Sequence, residues 1–420
     1  MNTAATVILV AYLVKESFEY IVQYLNLRHM ERFGTTVPPE FRGIINESML
    51  AKMRDYEADK TRLSFLSSVF GNIVTIAFIF GGLLNVFNSW IISFNESFVV
   101  SGWLFFMLLT FSIELLSTPF SLYEHFRVEN KYGFNTLTAR LWISDFIKSL
   151  LLSAVLMSIL LLVAFLLIQW SPAHWWLWVW GVMLVYGLLV MYISPYAIEP
   201  LFNKFAPIED GSLKERIVGL AGKAGINVTK VLKMDASKRS RHSNAYFAGL
   251  GRTKRIVLFD TLLNGMTHNE IIAVLAHEIG HWKRKHVLKT IAAMEFMSLI
   301  ALYISYRLIE GDLLNLLFKL DAPTIYGKLV IIGFIAGIVA FPLKLFATYF
   351  SRHHEREADR DCLELTGNVD DAVSAFVTLA KENLSNLYPH PLYVLLYYSH
   401  PPMLERIRYI KESTSTLKET

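Results

Sequence analysis

A single cysteine, Cys362, stands in a chain of 420 residues. One thiol excludes an intramolecular disulfide framework and any multi-cysteine zinc or iron–sulfur site, so a metal bound here must be held by histidines and carboxylates. Charge is scarce too: 18% of residues are Asp, Glu, Lys or Arg, against 54% hydrophobic. With a mean hydropathy of +0.39, that is the balance of a membrane protein and not of a soluble domain. Nothing basic precedes the first apolar run and no small-residue cleavage site follows it, so no cleavable signal is expected. The net charge of +4 is modest. Its basic residues gather in a few loops, a pattern set by membrane topology that argues nothing for nucleic acid.

What the chain has in quantity is apolar length. Seven stretches, about 2–27, 64–94, 98–121, 143–169, 173–195, 287–309 and 326–350, are each long enough to cross a bilayer core. Arg28, Arg32, Arg42, Lys52, Arg54, Lys60 and Arg62 lie between the first two, and Arg127, Lys131 and Arg140 between the third and fourth. The alternate loops, Asn95 to Ser97 and Ser171 to Pro172, carry no Lys or Arg. The positive-inside rule therefore places the N-terminus outside and the loops after spans one, three and five in the cytoplasm, with the C-terminus. Lys15, Glu16, Glu19, Glu114, Lys148, Lys289, Glu295 and Lys344 fall inside these spans. Ionisable groups at that depth face a bundle interior, water or one another, or snorkel from the span ends. Trp170, Trp175, Trp176, Trp178 and Trp180 read as an interfacial belt.

The expected fold is thus an all-α multi-pass membrane protein with a small cytoplasmic α+β unit. Four regions follow: 1–195 with spans one to five; 196–286, the α+β unit; 287–350 with spans six and seven; and 351–420, a cytoplasmic helical segment. Within the unit, Leu213 to Ala224 has a helical pattern, while Lys230 to Met234, Ala245 to Leu250 and Arg255 to Phe259 are strand-like, the last two forming a hairpin. Lys238, Arg239, Arg241, Arg252, Lys254, Arg255 and Lys283 to Lys285 make it basic, which suits contact with anionic lipid headgroups.

Thr267 to His286 carries the chemistry. Thr267 and Glu270 have capping-box spacing, and the apolar run after them repeats at helical intervals. On that helix His277 and His281 share a face and can reach one metal ion, while Glu278 is turned roughly 100° away. Glu278 can instead hold a water on the ion and take its proton, the division of labour in a zinc hydrolase. Gly280 allows a second segment to approach closely, and the helix should run directly into span six. A third protein ligand is needed. Candidates are Glu295, His353, His354, Glu355, Glu357, Asp359 and His400. In the helical stretch after span seven Glu355 and Asp359 share a face, so one can ligate while the other anchors an imidazole; Glu357 points elsewhere, and His353 and His354 compete.

His277-Glu-Ile-Gly-His281 with Glu355-x-x-x-Asp359 resembles the zinc-site pair of the type I CAAX prenyl protease family of integral-membrane zinc endopeptidases. The resemblance extends to Glu129-Asn-Lys-Tyr-Gly-Phe-Asn135, Glu199-Pro-Leu-Phe-Asn203, the stretches Ser237 to Phe247 and Arg255 to Leu263, and Ser399-His-Pro-Pro-Met-Leu-Glu-Arg406. It implies that His277, His281 and Glu355 bind one zinc ion per chain, that Glu278 is the general base and that Asp359 backs the ligands. It further implies that Asn244 holds the substrate backbone beside an edge strand, and that His400 and Arg406 sit near the scissile carbonyl and the ligand Glu. The implied fold is seven long helices enclosing a water-filled chamber closed by the zinc site, and the implied partners are a peptide or protein substrate, prenylated in the family, and membrane lipid. A short link at about 310–325 and a tail without a dilysine signal, both unlike eukaryotic members, favour a bacterial cytoplasmic membrane over the endoplasmic reticulum. The rival functions are a quality-control endopeptidase of the HtpX type, a site-2 protease with His-Glu-x-x-His inside a span, and a transporter or channel with a degenerate zinc site.

Overall fold

A backbone with no water to bond must bond to itself, which inside a bilayer means helices. The computed structural model describes residues 3–249, 253–318, 320 and 323–418. Its first half is α1 (Thr3–Phe33), α2 (Glu47–Ile79), α3 (Leu83–Phe94), α4 (Phe98–Tyr123), α5 (Ala139–Trp170) and α6 (Trp175–Ile193). Then come α7 (Ser212–Lys223), α8 (His268–Lys283), α9 (His286–Glu310), α10 (Ile325–Thr366), α11 (Val369–Glu382), α12 (Pro391–Tyr397) and α13 (Met403–Lys418). Among the described residues six helical runs are long and apolar enough to cross a membrane: Glu47–Ile79, Phe98–Tyr132, Ala139–Trp170, Trp175–Phe202, His286–Glu310 and Ile325–Thr366.

The stretch expected as the first span, α1, is not among those six, because Lys15, Glu16 and Glu19 interrupt its apolar run. Those charges pair with one another. Lys15 Nζ lies 2.7 Å from Glu16 and 2.6 Å from Glu19. Asn72 of α2 donates to Glu16 Oε2 and to the Tyr20 hydroxyl, and the Tyr397 hydroxyl donates to Glu19. The expected second span, 64–94, is two helices: α2 ends at Ile79 and the chain turns through Gly82, whose φ of 85° suits a residue without Cβ, before α3 begins. The tryptophans expected at an interface differ in their surroundings. Trp170 and Trp178 are exposed, but Trp175 is buried edge-on against Tyr306 and Trp180 donates to the Glu295 carbonyl.

Between α6 and α8 the chain forms a four-stranded sheet, β1 (Phe205–Pro207), β2 (Asn227–Met234), β3 (Ala245–Ala248) and β4 (Thr253–Phe259), in the order β1-β2-β4-β3. β2 and β4 are parallel, and β3 pairs antiparallel with β4, Ala245 opposite Leu258. The hairpin turn at 250–252, with Leu250 and Arg252, lies outside the described residues. Under the sheet, Ile217 of α7, Ile256 and Leu258 of β4, Ile271, Leu275 and Ile279 of α8, Phe376 of α11 and Ile407 of α13 share one core. Each fully buried Ile or Leu contributes roughly 1.5–3 kcal/mol, which makes α8 a central and rigid element.

The motifs that carry the family resemblance interlock where the spanning helices meet this sheet. His242 stacks on Phe134 at 4.0 Å and lies 3.2 Å from Glu129, at the end of a π-helical turn. Arg239 grips Asp145 through two bonds of 2.8 and 3.1 Å and reaches Asn203. The Tyr246 hydroxyl donates to Glu199, and the Ser237 backbone N–H to Asp260.

Candidate metal centre

Thr267 caps α8 with both halves of the capping box: its hydroxyl accepts from the Glu270 N–H, and Glu270 accepts from the Thr267 N–H at 2.7 Å. The other Glu270 oxygen takes hydroxyl bonds from Ser374 and Thr378 of α11 at 2.7 Å each. One carboxylate thus starts the helix and docks it.

Gly280 is where α10 crosses α8. A Cβ placed there would lie 2.9 Å from Ala358 Cα, 3.0 Å from the Ala358 carbonyl and 3.1 Å from Asp361 Cβ. Lys283 and Arg284 clasp the buried Asp361 at 2.7 Å each and hold the crossing in register.

The crossing brings His277, His281 and Glu355 together, with one donor atom from each within 4.8 Å of the others. His281 Nε2 is 3.1 Å from His277 Nε2 and 3.1 Å from Glu355 Oε1; His277 Nε2 is 3.3 Å from Glu355 Oε2. Glu355 Oε2 is buried and takes no hydrogen bond. A buried carboxylate oxygen without a donor is costly, and two imidazole nitrogens converging with it on one point is the donor set that zinc takes. The residues fit the ion.

Behind them, Asp359 accepts from His277 Nδ1 at 2.8 Å and is held by two bonds from Arg406, at 2.6 and 3.0 Å. Arg406 also lies 3.8 Å from Glu355 Oε2 and sits over the Phe376 ring at 4.0 Å. Burial and the Arg406 charge push the His277 imidazole down, but the Asp359 and Glu355 carboxylates beside it outweigh both and carry it up to about 9 without a metal. Burial holds the Glu278 carboxyl above its ordinary value, against the pull of His277 and His281. That direction suits a group that must take and return a proton near neutral pH.

The remaining expected residues are placed as follows. His400 enters the site, with Nε2 3.3 Å from Glu355 Oε1 and Nδ1 bonded to the Ser399 hydroxyl. Asn244 immediately precedes β3, which is an edge strand, and it is exposed with its side chain turned onto the Ala245 N–H; no described contact joins it to the three converging residues. Glu295 and His353 do not join the three, and His354 and Glu357 belong to a second group with His286. α8 does not run directly into the next span: Lys285, at φ 57°, breaks the helix and His286 starts α9. Of the basic residues expected at lipid headgroups, Arg239, Arg255, Lys283 and Arg284 are engaged within the protein. Sequence reasoning missed His286, whose Nδ1 lies 3.0 Å from His281 Nδ1, and with it the partner of Glu357, which was read as pointing elsewhere and lies 3.0 Å from His286 Nε2. The signal was a third histidine five residues past the motif.

A metal cradle built where spanning helices meet a small sheet is the layout of an integral-membrane metallopeptidase. Residues 26–204 match the family model described as CAAX prenyl protease N-terminal, five membrane helices, and residues 207–414 match peptidase family M48. CAAX prenyl protease 1 of Saccharomyces cerevisiae is 33% identical over 93% of this chain and 91% of its own length. The human homologue is 32% identical over 91% and 90%. The crystal structure of S. mikatae Ste24p superposes with a TM-score of 0.87 at 30% identity, covering 98% of this chain and 99% of the other. The chain belongs to peptidase family M48, with the CAAX prenyl proteases, and is a membrane-embedded metallopeptidase. This end-to-end match favours that reading over the quality-control protease, the site-2 class and the transporter. These relatives are eukaryotic, and the expectation of a bacterial member is not borne out.

Proposed function

We propose that the chain is a zinc endopeptidase that trims prenylated C-a-a-X tails at the cytoplasmic face of its membrane. The observation that carries this reading is the convergence of His277, His281 and Glu355, one donor each within 4.8 Å, beside a Glu278 raised by burial. The substrate class comes from the names of the relatives, and the orientation from the basic loops.

In this reading His277, His281 and Glu355 hold one zinc ion, and Asp359 and Arg406 fix the ligands. A zinc ion held there would supply Lewis acidity to the scissile carbonyl and lower the pKa of a water near it. Glu278 takes a proton from the attacking water and returns it to the leaving amine nitrogen. His400 donates toward the oxygen on which negative charge builds. The free edge of β3 pairs with the substrate backbone as an added strand, with Asn244 at its start. α1 is the first of seven spans around a polar chamber; a cavity of about 800 Å³ lined by Tyr56, Glu114, Glu129, Asp145, Arg239 and His242 supports that interior. Regions 1–195 and 287–350 form the membrane body, and 196–286 with 351–420 supply the site. Lys238, Arg241 and Lys285, all exposed, are left to meet lipid headgroups.

The test is mass spectrometry of a prenylated C-a-a-X peptide and its unprenylated twin, incubated with purified protein with and without a chelator. Chelator-sensitive cleavage of the prenylated peptide, lost in Glu278→Ala while zinc stays bound, is expected. Full activity in Glu278→Ala would refute the mechanism, and cleavage of unprenylated unfolded membrane proteins alone would revive the quality-control reading.

A further inference from the structure

His281 turns Nε2 toward His277 and Glu355, so its other nitrogen, Nδ1, faces away from them. A neutral imidazole that ligates through Nε2 carries its proton on Nδ1 and needs an acceptor there. The atom in place is Nδ1 of His286, 3.0 Å away. Two ring nitrogens at that distance share one proton, so His286 accepts at Nδ1 and keeps its own proton on Nε2. That proton has a carboxylate to go to: Glu357 Oε2, 3.0 Å from His286 Nε2. Each tautomer is set by the next bond, and the chain closes without a conflict.

We propose that His286 and Glu357 are positioning residues for the metal centre, forming a Glu357–His286–His281 relay that orients His281 and raises its donor strength. It is the counterpart, one residue longer, of the direct Asp359–His277 bond.

Two further features are built for this. Lys285 adopts a left-handed conformation, φ 57°, rare for a residue with Cβ and costing about 1–2 kcal/mol; the turn it makes brings His286 beneath His281. His286 is 3% exposed, and His354 stacks flat on it at 4.0 Å and 10°, fixing the ring plane. The same three residues, His286, His354 and Glu357, have donors close enough to hold a second cation. The stack argues against it. Lone pairs of parallel rings run side by side instead of converging, both His286 nitrogens are engaged, and the Arg284 guanidinium stands 3.6 Å from Glu357.

The inference rests on the zinc reading above, and zinc affinity of the full-length, metal-stripped protein, measured by chelator competition, separates the two. Wild type should bind one zinc, and His277→Ala should lose it; if wild type binds none, the zinc reading itself fails. Glu357→Ala and His286→Leu should weaken zinc 10- to 100-fold, the range for groups that orient metal ligands, and change the visible spectrum of the cobalt-loaded protein. His286→Gln, whose amide can accept from His281 and donate to Glu357, should recover most of the affinity, which a merely structural role would not predict. His354→Ala should bind one zinc as wild type does. Wild-type affinity in folded Glu357→Ala and His286→Leu would overturn the relay, as would a second zinc equivalent that vanishes in His354→Ala.

Discussion

Replacing Gly280 with Ala separates what the helix crossing does for stability from what it does for the site. The new Cβ would stand 2.9 Å from Ala358 Cα and 3.0 Å from its carbonyl oxygen, backbone atoms that cannot rotate aside. Restoring an ordinary carbon contact of roughly 3.5 Å moves the two helices apart by about 0.6 Å. Ala gains about 1 kcal/mol over Gly in a helix interior, and overpacking costs about 1–3 kcal/mol, so the net loss of stability is about 0–2 kcal/mol. The metal site has less tolerance. Glu355 is carried on α10 with Ala358, and ligand distances hold to about ±0.2 Å, so a shift of about 0.6 Å should weaken zinc at least tenfold while the protein stays folded. Chelator competition measures the affinity, and thermal unfolding in the same detergent checks the fold. Adding Ala358→Gly should rescue nothing, because the clash is with backbone. Wild-type zinc affinity in Gly280→Ala, or rescue by Ala358→Gly, would refute the claim that this crossing sets the ligand geometry.

Other outcomes follow from the same geometry. Because Asp359 and Glu355 raise His277 to about 9 without metal, zinc loading at pH 7.5 should expel about one proton from this residue, falling toward zero above pH 10; calorimetry in buffers of different ionisation enthalpy reads it. The sign for the metal-free chain is the opposite of the usual carboxylate case: His277 stabilises it fully below pH 6.5, and that contribution is lost as pH rises through about 9, visible in the pH dependence of thermal unfolding. Burial raises the Glu270 carboxyl, but its hydroxyl and backbone donors outweigh that and hold it below its ordinary range. Glu270→Ala should therefore cost about 2 kcal/mol at neutral pH, a deficit that shrinks on acidification below about pH 4.5, as denaturant titration will show. Arg406→Ala takes both guanidinium bonds from the fully buried Asp359, leaving it the His277 imidazole, and should destabilise by about 3–5 kcal/mol, with part regained in the Arg406→Ala, Asp359→Asn double variant.

The sequence made some of this legible because the signals were local. The capping box and His-Glu-x-x-His lie within fifteen residues on one helix, where periodicity alone says which side chains share a face. Glu355 was one of several candidates for third ligand, since spacing on α10 cannot say which face meets α8; the resemblance selected it. Reading Glu357 as turned away followed from the same single-helix view. It does face away from Glu355, but toward His286, on an element whose start depends on a left-handed turn at Lys285 that no pattern announces. The break at Gly82 was hidden because the apolar run continues straight through it. The basic residues taken for lipid contacts could not be seen to meet Asp145 and Asp361, which lie about 80–95 positions away in the chain.

α10 is a single helix of 42 residues, Ile325–Thr366, that begins with Tyr326, Ile331 and Ile332 packed in a core with Phe105 and Phe165 of the spanning helices and ends beyond the site. Glu355 lies about 45 Å along its axis from Ile325 at 1.5 Å per residue, so a swing of about 1° at the far end would displace the carboxylate by close to 0.8 Å. Asp361 is clasped by Lys283 and Arg284 just beyond it, and Pro342, inside the helix, leaves one i→i−4 hydrogen bond unmade between the two ends. The position of the Glu355 carboxylate therefore depends on how α10 is held along its whole length, from Ile325 to the Asp361 clasp at its other end.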